Sequence, residues 1–492
     1  MLGAIALLLA SRGAWARERV AVGSKAFPES WILGEALATM AGSAGSDATH
    51  RANLGGTEIV LAAARSGAID AYPEYTGTLR EVILHEPHST TDEVRARLAR
   101  NGLGMTDPLG FDDSYAIAVA PAVADRQGFR RISDLVGHSG LRAAFTHEFL
   151  GRADGWDGLR AYYGLQLSDV RGVQHELAFD AIASGQADIV DVYTTDPQIE
   201  RLHLRVLDDD RVFFPRYEAV VVYRLDLERR APQALAAMRR LVGHVDRATM
   251  TGANAAVTDH APLAFAAAML LHAALGPDAP SPPAASMAET IARDLVRHVE
   301  LVVASLAGSV AVGIPVGILA AKRRRIGGVA LGGAGVLQTI PSLALLALLI
   351  PLLGIGVVPA VVALFLYGLL PIVQGTYTGL TTIPLGLGEA ADALGLRRAT
   401  RLLEIELPLA SPSIVAGIRT SAVITVGTAT IAALVGAGGL GDPILRGITL
   451  RSAPLILSGA VPSALLAFVV QGLFAGLERV VVPRGLVLTH TD

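Results

Sequence analysis

The chain has 492 residues, a formal net charge of −4 and no cysteine. Disulfides and thiolate metal sites are thereby excluded, the charge balance gives no footprint for nucleic acid, and the length allows two or three domains. The 52% hydrophobic and 17% charged shares average two unlike halves, because charges run throughout 18–275 whereas 296–476 is mostly Leu, Ala, Val, Ile and Gly.

In chain order, Leu2 to Ala10 is apolar and Ala14-Trp15-Ala16 is a small-residue cleavage pattern, so residues 1–17 read as a signal-peptide-like segment, although no basic residue precedes the apolar run. Residues 18–275 alternate strand and helix patterns. Arg19 to Gly23 reads as a strand, and Trp31, Ile32, Ala36 and Met40 have helical spacing. Further strands are expected near Tyr115–Ala120, Ile189–Tyr193 and Ala219–Tyr223. This alternation predicts an α/β domain, with lobe crossings at Asp107-Pro108 and between Asp208 and Pro215. Residues 276–286, GPDAPSPPAAS, form a Pro- and Ala-rich linker.

Five apolar runs follow, at about 296–321, 326–350, 356–376, 411–436 and 453–476, each long enough to cross a bilayer as a helix. Lys322 to Arg325 separate the first two runs, Arg397, Arg398 and Arg401 the third and fourth, and Arg479 and Arg484 follow the fifth. The positive-inside bias puts these basic loops and the C-terminus in the cytoplasm and residues 18–275 outside. Residues 287–484 are therefore expected to be an all-α, five-helix transmembrane domain in a bacterial inner membrane.

Between the third and fourth runs lies Glu389-Ala390-Ala391, then Gly395, Ile405 and Pro408. The spacing resembles the E-A-A-x3-G-x9-I-x-x-P loop of ABC-importer permeases. The resemblance implies that 384–408 is a coupling loop that docks on a cytoplasmic ATPase. Gly436 to Pro443 (GAGGLGDP) also resembles a permease segment. The chain has no G-x-x-x-x-G-K-[ST] motif of its own.

The outer half carries a second set of phrases: Gly23-Ser24-Lys25, Leu54 to Thr57, Tyr72 to Thr78, Asp113 to Ala116, Glu148 to Gly155 and Tyr193 to Asp196. Together they resemble the substrate-binding proteins for quaternary-amine osmoprotectants (glycine betaine, choline, carnitine, proline betaine). The resemblance implies a two-lobed periplasmic-binding-protein-like domain of type II. It also implies a cage of Tyr75, Tyr115, Tyr193 and Tyr217 for the ammonium group, Asp113 as a negative wall, and Lys25, Thr78 and Arg152 for the carboxylate. A trimethylammonium group has no N–H to donate, so aromatic faces suit it, and charge-assisted bonds suit a carboxylate. Tyr72 competes with Tyr75 for the same role. No cofactor and no metal is expected: His85-Glu86-Pro87-His88 has no third ligand nearby, and no catalytic constellation occurs. Partners implied are a separate ATPase, the bilayer, a small quaternary amine and a second copy of the chain. Ergothioneine, also a trimethylammonium carboxylate, and a ligand-gated sensor without transport stay open.

Overall fold

The computed structural model describes residues 17–283 and 286–481. Residues 1–16, which hold nearly all of the signal-like segment, Ala284 and Ala285 of the expected linker, and 482–492 with Arg484 lie outside the described residues. The chain divides into two compact units, Met1–Ala284 and Ala285–Asp492.

The first unit contains two five-stranded sheets. The first sheet is built from β1 (Arg19–Gly23), β2 (Asp47–Arg51), β3 (Ala71–Tyr75), β4 (Leu103–Met105) and β10 (Ala219–Arg224). The second is built from β5 (Tyr115–Val119), β6 (Arg142–Thr146), β7 (Asp169–Val173), β8 (Ile189–Tyr193) and β9 (Arg205–Val206). Their orders are β2-β1-β3-β10-β4 and β7-β6-β8-β5-β9. In each, four strands share one direction. One strand that enters across the hinge, β10 or β5, pairs antiparallel with its neighbours. The central strands read as apolar runs (AVVVYR, YAIAV) because they are buried along nearly their whole length.

The hinge lies a few residues beyond the expected crossings. Thr106 and Leu109 donate to the carbonyls of Val221 and Ala219, which keeps them with the first sheet. The bridge that spans the crossing pairs Asp112 with Glu218. On the return, Asp208 to Asp210 still belong to the second lobe, since Asp208 N–H donates to the Arg130 carbonyl and Asp209 accepts from the Tyr163 hydroxyl at 2.5 Å. A proline or an aspartate run marks polar chain, and polar chain here caps a lobe rather than leaving it.

The second unit is helical. Among the described residues, four helices are long and apolar enough to cross a membrane: Met287–Lys322, Val357–Thr381, Arg398–Val435 and Ala453–Val480. The expected single run at 326–350 is instead a bent pair, Gly327–Thr339 and Ser342–Leu353, meeting at 98°. Pro341 explains the break: it lacks an N–H and drives the preceding Ile340 out of the helical region, to φ −66°, ψ 126°. Close packing comes from glycine. A Cβ on Gly417 would lie 2.5 Å from the Pro371 carbonyl oxygen, and one on Gly375 would lie 2.5 Å from that of Ser413. The Val357–Thr381 and Leu407–Thr428 helices therefore meet backbone to backbone.

Candidate ligand-binding site and membrane loop

The expected site residues sit at strand ends facing the hinge. Tyr75 ends β3, Tyr115 begins β5, Tyr193 ends β8, and Tyr217 lies two residues before β10. Antiparallel register places Tyr115 directly opposite Tyr193. Their ring centroids are 5.0 Å apart, and Tyr217 meets Tyr115 edge-on at 5.8 Å. Phe27, at the start of the Pro28–Ser43 helix, links the two lobes: its ring lies 6.3 Å from Tyr75 and 6.5 Å from Tyr193. Phe149 closes the far side at 5.3 Å from Tyr115. Tyr72 lies fully buried, three residues from Tyr75 and hence on the opposite face of β3, so it does not share this cluster.

The basic residues come to the same place. Lys25 is buried in the loop after β1; its ammonium pairs with Glu74 and stands 5.4 Å from the Tyr75 ring centroid. Arg152 follows the His147–Gly151 helix and grips Asp154 through two bonds, Nε at 2.7 Å and Nη2 at 2.5 Å. Its guanidinium carbon stands 5.4 Å from the Tyr115 ring and 5.7 Å from the Tyr217 ring, and Nη2 donates to Tyr217 Oη at 3.1 Å. Three of the four tyrosine faces thus already attract a cation of the chain itself. Thr78 is buried at the end of the Thr76–Thr78 turn. Gly77 beside it makes room for Tyr217, because a Cβ there would lie 2.5 Å from that ring.

Electrostatics follow from burial. Desolvation pushes the phenols of Tyr75, Tyr115 and Tyr193 well above their ordinary pKa, so each hydroxyl stays a donor. Burial opposes the charge on Arg152, yet the Asp154 carboxylate and the two phenols hold it above the usual guanidinium value. Burial also lowers His175, but the Asp196 carboxylate 3.0 Å away overrides this and pushes it up to about 10. The charged His175 lies against Tyr193, ring to ring at 4.8 Å.

Several contributors escape a reading of the sequence. Glu29 accepts from Tyr75 Oη at 2.6 Å, from Thr195 Oγ1 at 2.6 Å and from Asn254 Nδ2 at 2.9 Å. Asp113 Oδ1 lies 2.7 Å from Thr195 Oγ1, so its carboxyl is engaged by the chain. Glu29 follows Pro28 in the first turn of a helix, where an acidic residue ordinarily serves the helix terminus. Asn254 is 225 residues further on. Of these, Thr195 and Asp113 fall inside the quoted phrases, whereas Glu29 and Asn254 do not.

In the membrane unit, Glu389, Ala390 and Ala391 lie on the Leu385–Ala393 helix, which ends before Gly395 at φ 69°. That left-handed conformation favours glycine. Ile405 lies in the π-helical turn Leu402–Glu406, and Pro408 is the second residue of the Leu407–Thr428 helix. The loop is braced by charge. Arg401 bonds Asp392 at 3.0 Å and Glu406 at 2.9 Å, and Lys322 Nζ meets Glu406 at 2.5 Å. Leu385 and Leu394, at the two ends of the Leu385–Ala393 helix, stand 86% and 79% exposed, an apolar rim on a loop of this charge.

The family model for the substrate binding domain of ABC-type glycine betaine transport systems matches residues 18–271, and that for the inner membrane component of binding-protein-dependent transport systems matches residues 313–484. The membrane unit is 42% identical over 189 residues to the choline transport system permease protein OpuBB of Bacillus subtilis, which is 38% of this chain and 87% of that one. It is 42% identical over 195 residues to the osmoprotectant import permease protein OsmW of Salmonella typhimurium, 39% of this chain and 91% of that one. A solved glycine betaine/carnitine/choline ABC transporter structure aligns with a TM-score of 0.44 and 27% identity, covering 50% of this chain and 96% of its own. The chain therefore belongs to the family of substrate binding domains of ABC-type glycine betaine transport systems, fused in one polypeptide to the multi-pass inner membrane permease component of such an importer.

Proposed function

We propose that this chain captures a quaternary-ammonium compatible solute, with glycine betaine, choline, carnitine and proline betaine as the class, and passes it through its own membrane unit. The single observation that carries the reading is the convergence of Tyr75, Tyr115, Tyr193 and Tyr217 on the hinge, with Lys25 and Arg152 already seated near three of their rings. A ring face that attracts an ammonium or guanidinium of the chain attracts a trimethylammonium for the same electrostatic reason. Lys25, Thr78 and Arg152 suit a carboxylate on the same ligand. Glu29 supplies the acidic side, with the Asp113 carboxyl beside it.

The rest of the machine is inferred from charge and motif. The binding unit, 18–275, stands outside the membrane behind a signal-like segment and is tethered by the linker at 276–286. The bent pair counts as one span, giving five in residues 287–484, with the C-terminus in the cytoplasm. ATP hydrolysis belongs to a separate subunit that docks on 384–408 through Glu389 to Ala391, Gly395, Ile405 and Pro408. Two copies of the chain form the translocation path, and tethering keeps the receptors at an effective concentration of about millimolar. The relatives' names support this class of solute. Calorimetry of the purified full chain against choline, glycine betaine, carnitine and ergothioneine tests it. Binding of at least one of the first three is expected, and binding of none contradicts the reading. Uptake into vesicles containing the matching ATPase separates transport from sensing.

A further inference from the structure

Beside the aromatic cluster two carboxyls meet inside the protein without a cation between them. Glu29 Oε2 lies 2.6 Å, and Asp113 Oδ1 2.7 Å, from one atom, Thr195 Oγ1. Glu29 comes from the first lobe, Thr195 from the segment after β8 in the second, and Asp113 from the crossing. All three residues are more than nine-tenths buried. Among the described residues neither carboxyl has an ion-pair partner. The charged groups nearest them are already engaged: Asp196 with His175, and Glu74 with Lys25.

A hydroxyl carries one proton. Thr195 can donate to only one of the two carboxyls, so its short contact to the other requires a proton on that other carboxyl. Two bare carboxylates in this position would leave an uncompensated repulsion in a dry interior. Proton counting therefore gives the pair one proton in total. The remaining donors decide where it sits. Glu29 also receives the Tyr75 hydroxyl at 2.6 Å and the Asn254 amide at 2.9 Å, whereas Asp113 receives only the Thr195 N–H at 3.2 Å. Donors gather on the anion.

We propose that Asp113 carries the shared proton and that Glu29, as the ionised partner, is a positioning residue that orients Tyr75 and strengthens its cation-binding face. This rests on the quaternary-ammonium reading above. A phenol that donates to a carboxylate gains electron density in its ring, and a more negative ring face holds a cation more firmly. Burial, followed by the Glu29 charge, pushes Asp113 well above the ordinary carboxyl value; burial raises Glu29 as well, against its three hydrogen bonds. The same chain, Asp113 to Thr195 to Glu29, ties the hinge to both lobes. If the lobes part, both carboxyls meet water and ionise at neutral pH, so closing takes up one proton.

Infrared difference spectra of the full chain in lipid nanodiscs, wild type minus Asp113→Asn, test this without any ligand. One protonated-carboxyl band is expected to disappear, and it should shift when aspartate carries a 13C carboxyl and stay when glutamate does. A band that follows labelled glutamate, or the absence of any such band, overturns the proposal. Choline titrated calorimetrically at neutral pH gives a second readout: Glu29→Gln should weaken choline about tenfold. Unchanged affinity in Glu29→Gln overturns the positioning role. Failure of the wild type to bind any quaternary amine would remove the proposed function, and the infrared result would still decide the location of the proton.

Discussion

In the binding unit, buried polar groups find partners far away in sequence. Lys25 pairs with Glu74, Tyr75 with Glu29, and Thr195 with both Glu29 and Asp113. In the membrane unit, many buried hydroxyls turn back on their own helix, and Ser309 and Ser421 also reach the Phe365 and Gly368 carbonyls of a neighbouring span at 2.9 Å. Ser305 donates to the Leu301 carbonyl at 2.8 Å, Thr376 to Ile372 at 2.8 Å and Thr425 to Ser421 at 2.8 Å. Described ion pairs there gather toward helix ends and loops, as in the Lys322–Glu406–Arg401–Asp392 chain. A water-exposed fold can place a charge at depth if another element brings its partner. In hydrocarbon each span satisfies its backbone and many of its hydroxyls by itself, so helix contact rests mainly on shape, with a few short hydroxyl-to-carbonyl bonds across the seam. The first unit recognises by chemistry and the second assembles by fit.

The largest effect should come from breaking the fit. Gly417→Leu drives a side chain into the Pro371 carbonyl and should cost about 3 kcal/mol or more in the membrane unit. Gel filtration in detergent should show loss of the monodisperse chain, whereas Gly427→Leu, whose Cβ meets nothing within 4 Å, should be retained. Equal behaviour of the two variants would mean that close approach does not hold these helices.

Next comes the chemistry of the first unit. Tyr193→Ala removes one face of the proposed cage and should weaken choline about tenfold to thirtyfold by calorimetry, with the membrane unit unaffected. A smaller effect is written in pH. His175 has its pKa raised to about 10 against an ordinary 6.5. Its contribution to stability is complete below pH 6.5 and is lost as pH rises through about 10. With His175 a quarter exposed, this is on the order of 1–2 kcal/mol. Thermal unfolding of His175→Gln should show a flatter alkaline limb than the wild type. The smallest effect belongs to the loop brace: Arg401→Ala should lower ATP-driven uptake several-fold through loss of its pairing with Asp392 and Glu406 and leave choline affinity untouched.

Much of this was legible in the sequence. β1, β8, β10 and the Pro28–Ser43 helix follow from apolar spacing, and Tyr75, Tyr115, Tyr193, Tyr217, Lys25 and Arg152 were reached through phrases that flank strand ends. Glu74 and Asp154 lie inside those phrases but had no role read for them, and Phe27 and Asn254 lie outside them. Phe27 and Glu74 look like ordinary core or surface positions until the lobes face each other. Asn254 becomes visible only when a helix 225 residues away packs onto Glu29. The break at Pro341 was present as a residue, yet a proline inside an apolar run fits either a kink or a right-angle turn, and neighbouring helices decide between them.

The account turns on an aromatic cage that selects positive charge. Calorimetry of the full chain with choline and with its uncharged carbon isostere, in which a tert-butyl group replaces the trimethylammonium, isolates that charge at constant shape. Choline should bind at least about tenfold more tightly. Equal affinity for the two would mean that the tyrosines offer only an apolar pocket, and the central claim would be wrong.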